Sequence, residues 1–585
     1  MFKCAKQTTT VLFAQVAMLG LVPVAAQAAI FRLEEATIAD INTAFDAGAL
    51  TSQQLTQLYL NRIEAYDRGA PGLNSVLTLN PNALETAASL DSERAVTGSR
   101  GVLHGIPVLL KDNIDTFDLP TTAGSLALEN SFPPDDAFIT QQLRDAGAVI
   151  LGKVNLSEFA GFLSIGTPAG YSSVGGYVFN PYNPVPLPGG DGRPVLSPGG
   201  SSSGSGVAAA ANLAAFTIGT DTAGSILSPA NANSVVGIRP TLGLVSRDGI
   251  VPISLSRDTA GPLTRNVTDA AIVLGAITDI DPSDSATTAS SGKSYTDYTK
   301  FLEKDGLKGA RIGVPRDLYW DNLTNEQRAI IEQAIADMER LGAEIVYENI
   351  PTARETTLRF DDIIPVLSYE FKRDLNAYLA SLGPDASVKL LTDVIAFNDA
   401  SSEAALKYGQ RLLLGSESID LEQDQPQYLE ERATALRLAR DEGLGFLINE
   451  YDLDAILFPA SGGSSITAQA GYPGISIPAG YLADGTPFNI SLTGTAFSEP
   501  ILIGLAYSYE QGTLNRISPD STPPLPGEEF EYEPVPESAT TFGLSVVGLV
   551  ALGLRLRRRK TKSHSKLSAN LFIQLGILPG ERVEV

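Results

Sequence analysis

Ser225 closes the second of two glycine–serine clusters, Gly199–Gly206 and Gly219–Ser225. They lie in a run over residues 197–229 that reads SPGGSSSGSGVAAAANLAAFTIGTDTAGSILSP. Glycine lets backbone approach a ligand closely and take φ/ψ values that other residues avoid. Successive N–H groups in such turns form a concavity that binds negative charge. A serine hydroxyl beside that concavity has what acyl transfer needs, a nucleophile with oxyanion donors at hand. The stretch between the clusters predicts one helix and one short buried strand. Its small apolar residues argue against a flexible linker.

What activates the serine is narrowed by a count. The chain has two histidines, His104 and His564, and His564 lies in a basic tail beyond a hydrophobic segment. A Ser-His-Asp triad would therefore have to use His104, which stands in GVLHGIPVLLKDNID. There Gly101–Pro107 predicts a turn into the apolar strand Val108–Leu110, which Lys111 and Asp112 end. A partly desolvated lysine at a strand end loses its proton near neutral pH and acts as a base. A structural ion pair is the alternative, and the residues alone leave both readings open.

The segments HGIPVLLKDN, SPGGSSSGS, GTDTAGSI, VVGIRPTLGLVSRDGIVPIS and DTAGP, with the closing SLTGTAFSEPILIGLAYSYEQ, resemble the amidase signature family. The likeness runs from about Phe31 to Gln511 and is strongest to peptide amidases and their secreted relatives. It implies an α/β fold, a single large domain with a mixed central sheet covered by helices. It implies a Ser-cisSer-Lys catalytic set, with Ser225 as nucleophile, Ser201 bridging through a cis peptide, and Lys111 as base. The implied oxyanion donors are the backbone N–H groups of Thr222, Ala223, Gly224 and Ser225. The implied reaction converts a carboxamide to carboxylate and ammonia through an acyl-enzyme, with peptide C-terminal amides among the candidate substrates. No metal or cofactor is implied. A lysine base also implies activity that rises toward alkaline pH.

Two positions depart from the common pattern. Ala223 stands where many members have glycine, adding a methyl but keeping the backbone donor. Leu227 stands where many carry arginine, which removes a cation and favours a neutral carboxamide over a free carboxylate. A non-catalytic surface-binding protein on the same fold is the alternative that these departures raise. Intact Lys111, Ser201 and Ser225 argue against it.

The 585 residues suit one large α/β domain plus targeting segments. With 43% hydrophobic residues the chain can bury a large core. A net charge of −25 argues against nucleic acid as a partner. The single cysteine, Cys4, excludes an intramolecular disulfide, and two histidines make a zinc site unattractive.

Residues 1–29 carry Lys3 and Lys6, an apolar stretch from Val11 to Val24, and the small-residue site Ala26-Gln27-Ala28, the pattern of a secretory signal peptide. A membrane anchor is the alternative. Cys4 precedes the apolar stretch, so no lipobox is present. Apolar positions at helical spacing predict two helices over Ala36–Tyr66, broken near Gly48–Thr51, with Thr51 or Ser52 capping the second. Gly147–Lys153 matches GxxxxGK, but Val154 replaces the hydroxyl residue that magnesium needs, so a phosphate-binding loop is rejected. Asn155, Ser157 and Glu158 take structural roles at a strand-end turn. The Gly-, Pro- and Tyr-rich segment Gly166–Val195 reads as a surface loop near the site, with Tyr171, Tyr177 and Tyr182 packing there or lining a groove. The charges of Arg239, Asp258 and Arg265 are expected to brace the catalytic loops. A polar stretch, 281–308, precedes a strand–helix–strand unit, and helices near Ser368–Leu382, Ser401–Leu414 and Tyr428–Asn449 follow. Strands return at Ala455–Pro459 and Gly474–Pro478.

The amidase-signature region is expected over residues 30–517. Residues 518–537 are rich in Pro and Glu and read as a flexible linker. In 538–560 an apolar stretch precedes the arginine cluster RLRRRK. With the preceding VPES it resembles a PEP-CTERM sorting signal, implying contact with the membrane during sorting. A permanent anchor is the alternative, and the polar tail 561–585 has no assigned role. Export to the periplasm, cell surface or exterior is the expectation. A signal peptide speaks against a cytoplasmic tRNA-dependent amidotransferase component. The SxxK matches of a penicillin-binding enzyme fall in the polar stretch and in the tail.

Overall fold

Continuous apolar runs, without polar alternation, make the central strands. The strands Pro107–Lys111 and Phe216–Asp221 are buried at every position, as strands covered on both faces should be. The computed structural model describes residues 28–533, apart from 359 and 385. Its strands are β1 (Ala29–Arg32), β2 (Val76–Leu79), β3 (Pro107–Lys111), β4 (Val149–Val154), β5 (Tyr171–Ser172) and β6 (Gly176–Tyr177). They continue as β7 (Phe216–Asp221), β8 (Val236–Arg239), β9 (Thr259–Thr264), β10 (Arg311–Gly313) and β11 (Glu344–Val346). The last are β12 (Ala455–Pro459), β13 (Gly474–Tyr481), β14 (Pro487–Thr493) and β15 (Glu529–Tyr532).

Eleven of these form one sheet in the order β11-β10-β12-β14-β13-β8-β9-β7-β3-β4-β2. The pairs β3–β4, β3–β7, β10–β11 and β10–β12 are parallel, and the others are antiparallel. The sheet is therefore mixed, and helices surround it. One continuous apolar core joins it to helices Ile38–Asp46, Val267–Ala276, Asn325–Arg340 and Glu499–Thr513. A second cluster packs Phe371, Leu375 and Leu379 of helix Phe360–Ser381 on Phe159, Phe162 and Leu163.

The parallel register sets Leu110 of β3 beside Ile218 of β7, so both strands end at one edge of the sheet. In α/β sheets the carboxyl ends of parallel strands are where ligands are met. Lys111 is the last residue of β3, and Asp221 the last of β7. Between β4 and β7, helix Ser203–Ala210 packs against the core almost without side chains. A Cβ on Gly204 would lie 2.4 Å from the Asn155 carbonyl and 2.6 Å from that of Ser75, so only glycine permits this approach.

The two early helices form as expected, Ile38–Asp46 and Ser52–Arg62, and Thr51 caps the second in a capping box with Gln54. Strand β14 and helices Ala83–Thr97 and Glu499–Thr513 lie where the sequence reading placed no element. The expected helix Ser401–Leu414 is instead split into Ser402–Ala405 and Arg411–Glu417, with Gly409 at φ +73° between them.

The composition of 518–537 misleads over its first part. Residues 518–532 are packed on the domain: β15 pairs with β1, and the fully buried Arg62 ion-pairs with Glu528 at 2.8 Å. Arg62 also donates to the Thr522 and Pro523 carbonyls. Specific hydrogen bonds to a buried guanidinium outweigh the Pro/Glu signal for disorder. The expected signal peptide, sorting segment and polar tail lie outside the described residues, save Ala28 and Ala29. No described helix is long and apolar enough to cross a membrane.

Candidate active site

Lys111 ends β3 fully buried, and its amine reaches three oxygens. Nζ lies 2.9 Å from Ser201 Oγ, 2.8 Å from Thr220 Oγ1 and 3.3 Å from the Thr220 carbonyl. Among the described residues it forms no ion pair. Burial pushes the amine from 10.5 down to about 7, against smaller upward pulls from Asp221 and Asp258. Asp112, the next residue, turns instead to Lys153, 3.5 Å away, and to Thr122. The ion-pair reading thus belongs to Asp112 and Lys153, not to Lys111.

Ser201 follows a cis Gly200–Ser201 peptide. Its carbonyl accepts from Ser157 N–H at 3.0 Å, and Ser202 Oγ donates to the Thr220 carbonyl at 3.0 Å. Ser202 N–H donates to the Ser225 carbonyl at 3.3 Å, which ties the two glycine–serine clusters together. Ser201 is buried and Ser225 partly exposed, so the order inward from solvent runs from Ser225 to Ser201 to Lys111.

The loop Thr222–Ser225 is held from below by Asp221. Its carboxylate accepts from Gly224 N–H and from Ile226 N–H, each at 2.8 Å, and from Arg239 at 2.6 Å. Asp221 and Arg239 are both fully buried, and Arg239 also donates to the Arg257 carbonyl at 2.7 Å. Gly224 takes φ +116°, and a Cβ there would fall 2.4 Å from Ser464 Oγ. Of the four amides expected to face an oxyanion, Gly224 N–H is thus engaged by Asp221. Those of Thr222, Ala223 and Ser225 have no protein acceptor among the described residues. Thr222 Oγ1 donates to Asp258 at 2.5 Å, and the other Asp258 oxygen accepts from the Ile253 and Ser254 amides. Burial raises the Asp258 carboxyl to about 6.

His104 is excluded as a base by its bonding. Its Nδ1 accepts from Arg100 N–H at 3.2 Å, so Nε2 is the donor to the Leu90 carbonyl at 2.8 Å. Among the described residues no group of His, Cys, Asp or Glu is arranged to hold a metal ion.

A family model for Amidase matches residues 54–470. A probable amidase of Arabidopsis thaliana is 43% identical over 504 residues, covering 84% of this chain and 92% of that protein. The peptide amidase of Stenotrophomonas maltophilia superposes with a TM-score of 0.78 at 43% identity, covering 84% of this chain and 99% of that one. A glutamyl-tRNA(Gln) amidotransferase subunit of Thermosynechococcus vestitus is more distant, 32% identical over 79% of this chain and 95% of its own. This chain belongs to the amidase signature family. It is a hydrolase of C–N amide bonds, built as one amidase-signature domain.

In this amidase the residues singled out from sequence converge: Lys111, Ser201 and the Thr222–Ser225 loop meet at one edge of the sheet. Asp258 acts as a brace through Thr222, whereas Arg265 donates to the Ala36 and Ala214 carbonyls. Tyr171 and Tyr177 pack against each other, Tyr171 meets Tyr408 edge-on and Tyr177 hydrogen-bonds it, and Tyr182 packs at a tilt against Tyr481. Three residues of the site escaped the sequence reading: Asn113, Thr220 and Asp221; Arg239, expected to brace the catalytic loops, pairs with Asp221. Thr220 and Asp221 sit in the GTDTAGS motif, where a carboxylate four residues before a nucleophile is a readable signal. Asn113 acts through folding contacts that no local spacing announces.

Proposed function

We propose that this enzyme is an exported amidase that hydrolyses carboxamides, C-terminal peptide amides among them, through Ser225, Ser201 and Lys111. One observation carries the reading: a buried amine near its neutral form, 2.9 Å from the hydroxyl of Ser201. Neutral Lys111 holds two N–H bonds on Thr220 and presents its lone pair to Ser201. Ser201 passes its proton to Nζ and takes the proton of Ser225, whose Oγ bonds to the carboxamide carbon. The carbonyl π pair moves onto oxygen, which the amides of Thr222, Ala223 and Ser225 stabilise; loss of one such donor typically costs about 10²–10³ in rate. Lys111 then returns its proton through Ser201 to the leaving nitrogen, the C–N bond breaks, and ammonia departs. Water enters by the same relay, cleaves the acyl–oxygen bond and releases the carboxylate. The ammonium form of Lys111 has three acceptors for three N–H bonds, which supports its formation in a buried site.

The likeness to a peptide amidase supports peptide amides as substrates. The test is ammonia release from a panel of peptide amides, aliphatic and aryl amides and glutamine, comparing the protein with Ser225→Ala. Serine-dependent release from peptide amides is the expected result. No release from any amide by folded protein would turn the reading to a surface-binding protein on this fold. Export rests on the pattern of residues 1–29, and PEP-CTERM-like sorting on that of 538–560. N-terminal sequencing and mass of the mature protein test both.

A further inference from the structure

Beside Thr220 lies a small cavity of about 10 Å³, room for one water. Asn113, Thr220, Thr222, Arg247, Asp258 and Thr259 give it a polar lining. Two of these carry buried polar atoms with no partner among the described residues, Asn113 Oδ1 and Thr259 Oγ1. A third has a hydrogen to spare. Thr220 Oγ1 accepts from Lys111 Nζ at 2.8 Å and from Asn113 Nδ2 at 3.1 Å, which uses both its lone pairs. Its own hydrogen has no acceptor among the described residues. A donor, an acceptor and a hydroxyl without partners thus belong to residues that line a space the size of one water. Buried polar groups left unpaired cost about 1–3 kcal/mol each, whereas a water with three partners satisfies all of them.

We propose that this cavity binds a single water, and that Asn113, acting through that water and Thr220, is a positioning residue for the Lys111 amine. The water accepts from Thr220 Oγ1–H and donates to Asn113 Oδ1 and Thr259 Oγ1. Its effect is directional. With its hydrogen drawn into the cavity, Thr220 Oγ1 keeps one lone pair on a Lys111 N–H and the other on Asn113 Nδ2, while the Thr220 carbonyl holds the second N–H of the neutral amine. Released from the water, the same hydroxyl rotates and donates to the amine lone pair, competing with Ser201 for the atom that must take the proton. This rests on the reading of Lys111 as base. The charged groups facing Lys111 are Asp221, paired with Arg239, and Asp258, bonded to Thr222.

A high-resolution crystal structure of the unliganded protein should show one density peak within hydrogen-bond distance of both Asn113 Oδ1 and Thr259 Oγ1. An empty cavity overturns the proposal. Asn113→Leu and Thr259→Val should each lower kcat at least about ten-fold with KM within about two-fold, while Thr259→Ser, which keeps the hydroxyl, stays near wild type. Variants that match wild type, or losses shared equally by Thr259→Ser, overturn it as well. The Lys111 side-chain NMR titration should move in Asn113→Leu and Thr259→Val but not in Thr259→Ser. Density and titration are read without turnover, so their failure is distinguishable from failure of the amidase reading.

Discussion

At the scale of the residue, Lys111 trades stability for reactivity. A general base is useful when its pKa lies near the working pH, and burial brings the amine to about 7. We expect log kcat/KM to rise with unit slope below about pH 7 and to level above it; a profile flat from about pH 6 to 9 would sink the assignment. Lys111→Met should lower kcat by about 10²–10⁴. The same shift fixes the sign of a stability effect. The folded-state value of about 7 lies below the 10.5 of the free side chain, so between the two the unfolded chain binds more protons and stability rises with pH. The penalty is full below about pH 7. Lys111→Met should therefore be more stable than wild type at pH 6, by on the order of 2–5 kcal/mol, with the gain shrinking toward pH 10. Denaturant titrations of both proteins at the two pH values measure it, and a gain that grows with pH would contradict the burial argument.

At the scale of the element, the site is two strand ends and the turns that leave them. Asp221 converts the end of β7 into a fixed loop by accepting two amides of the turn while pairing with Arg239. Asp221→Ala leaves a buried guanidinium without its carboxylate, which typically costs about 3–5 kcal/mol, and frees the turn that carries Ser225. We expect a large fall in thermal midpoint together with near-complete loss of kcat. Gly224→Ala keeps the charges but puts a methyl against Ser464 Oγ at a backbone angle that favours glycine. It should lose activity with a smaller loss of stability, as circular dichroism melts beside ammonia assays would show. This scale also marks how far sequence reaches. Lys111, Ser201 and Ser225 are legible because each stands in an unbroken local motif, and β3 and the helix after Ser202 follow from runs of apolar or small residues. The Asp221–Arg239 pair, the Thr222–Asp258 bond and the Asn113–Thr220 contact join separate segments. Their residue types are ordinary, and only the strand order β8-β9-β7-β3 brings them together.

At the scale of the whole molecule, chain ends decide where the folded domain stops. The Pro- and Glu-rich composition after Ser518 is that of a linker, yet Glu528 is 1% exposed and pairs with Arg62, itself 0% exposed. The partners stand 466 residues apart, so nothing near Glu528 announces the contact. The early helix Ser52–Arg62 and the strand β1 both depend on this late segment, since β15 pairs with β1 over residues 29–32. A chain ending at 517 would keep every residue of the candidate site. It would nevertheless leave the Arg62 guanidinium with only the Ala211 and Asn212 carbonyls of its former hydrogen-bond partners. Removing one member of a buried pair typically costs about 3–5 kcal/mol, and the lost strand adds to that. We expect the 517 truncation to melt well below a chain ending at 533, and Glu528→Gln to fall between them because it keeps the strand and a neutral acceptor. If all three melted together, residues 518–532 would be the linker that their composition suggests, and Arg62 would draw its stabilisation from the two carbonyls and the Tyr66 ring beneath it.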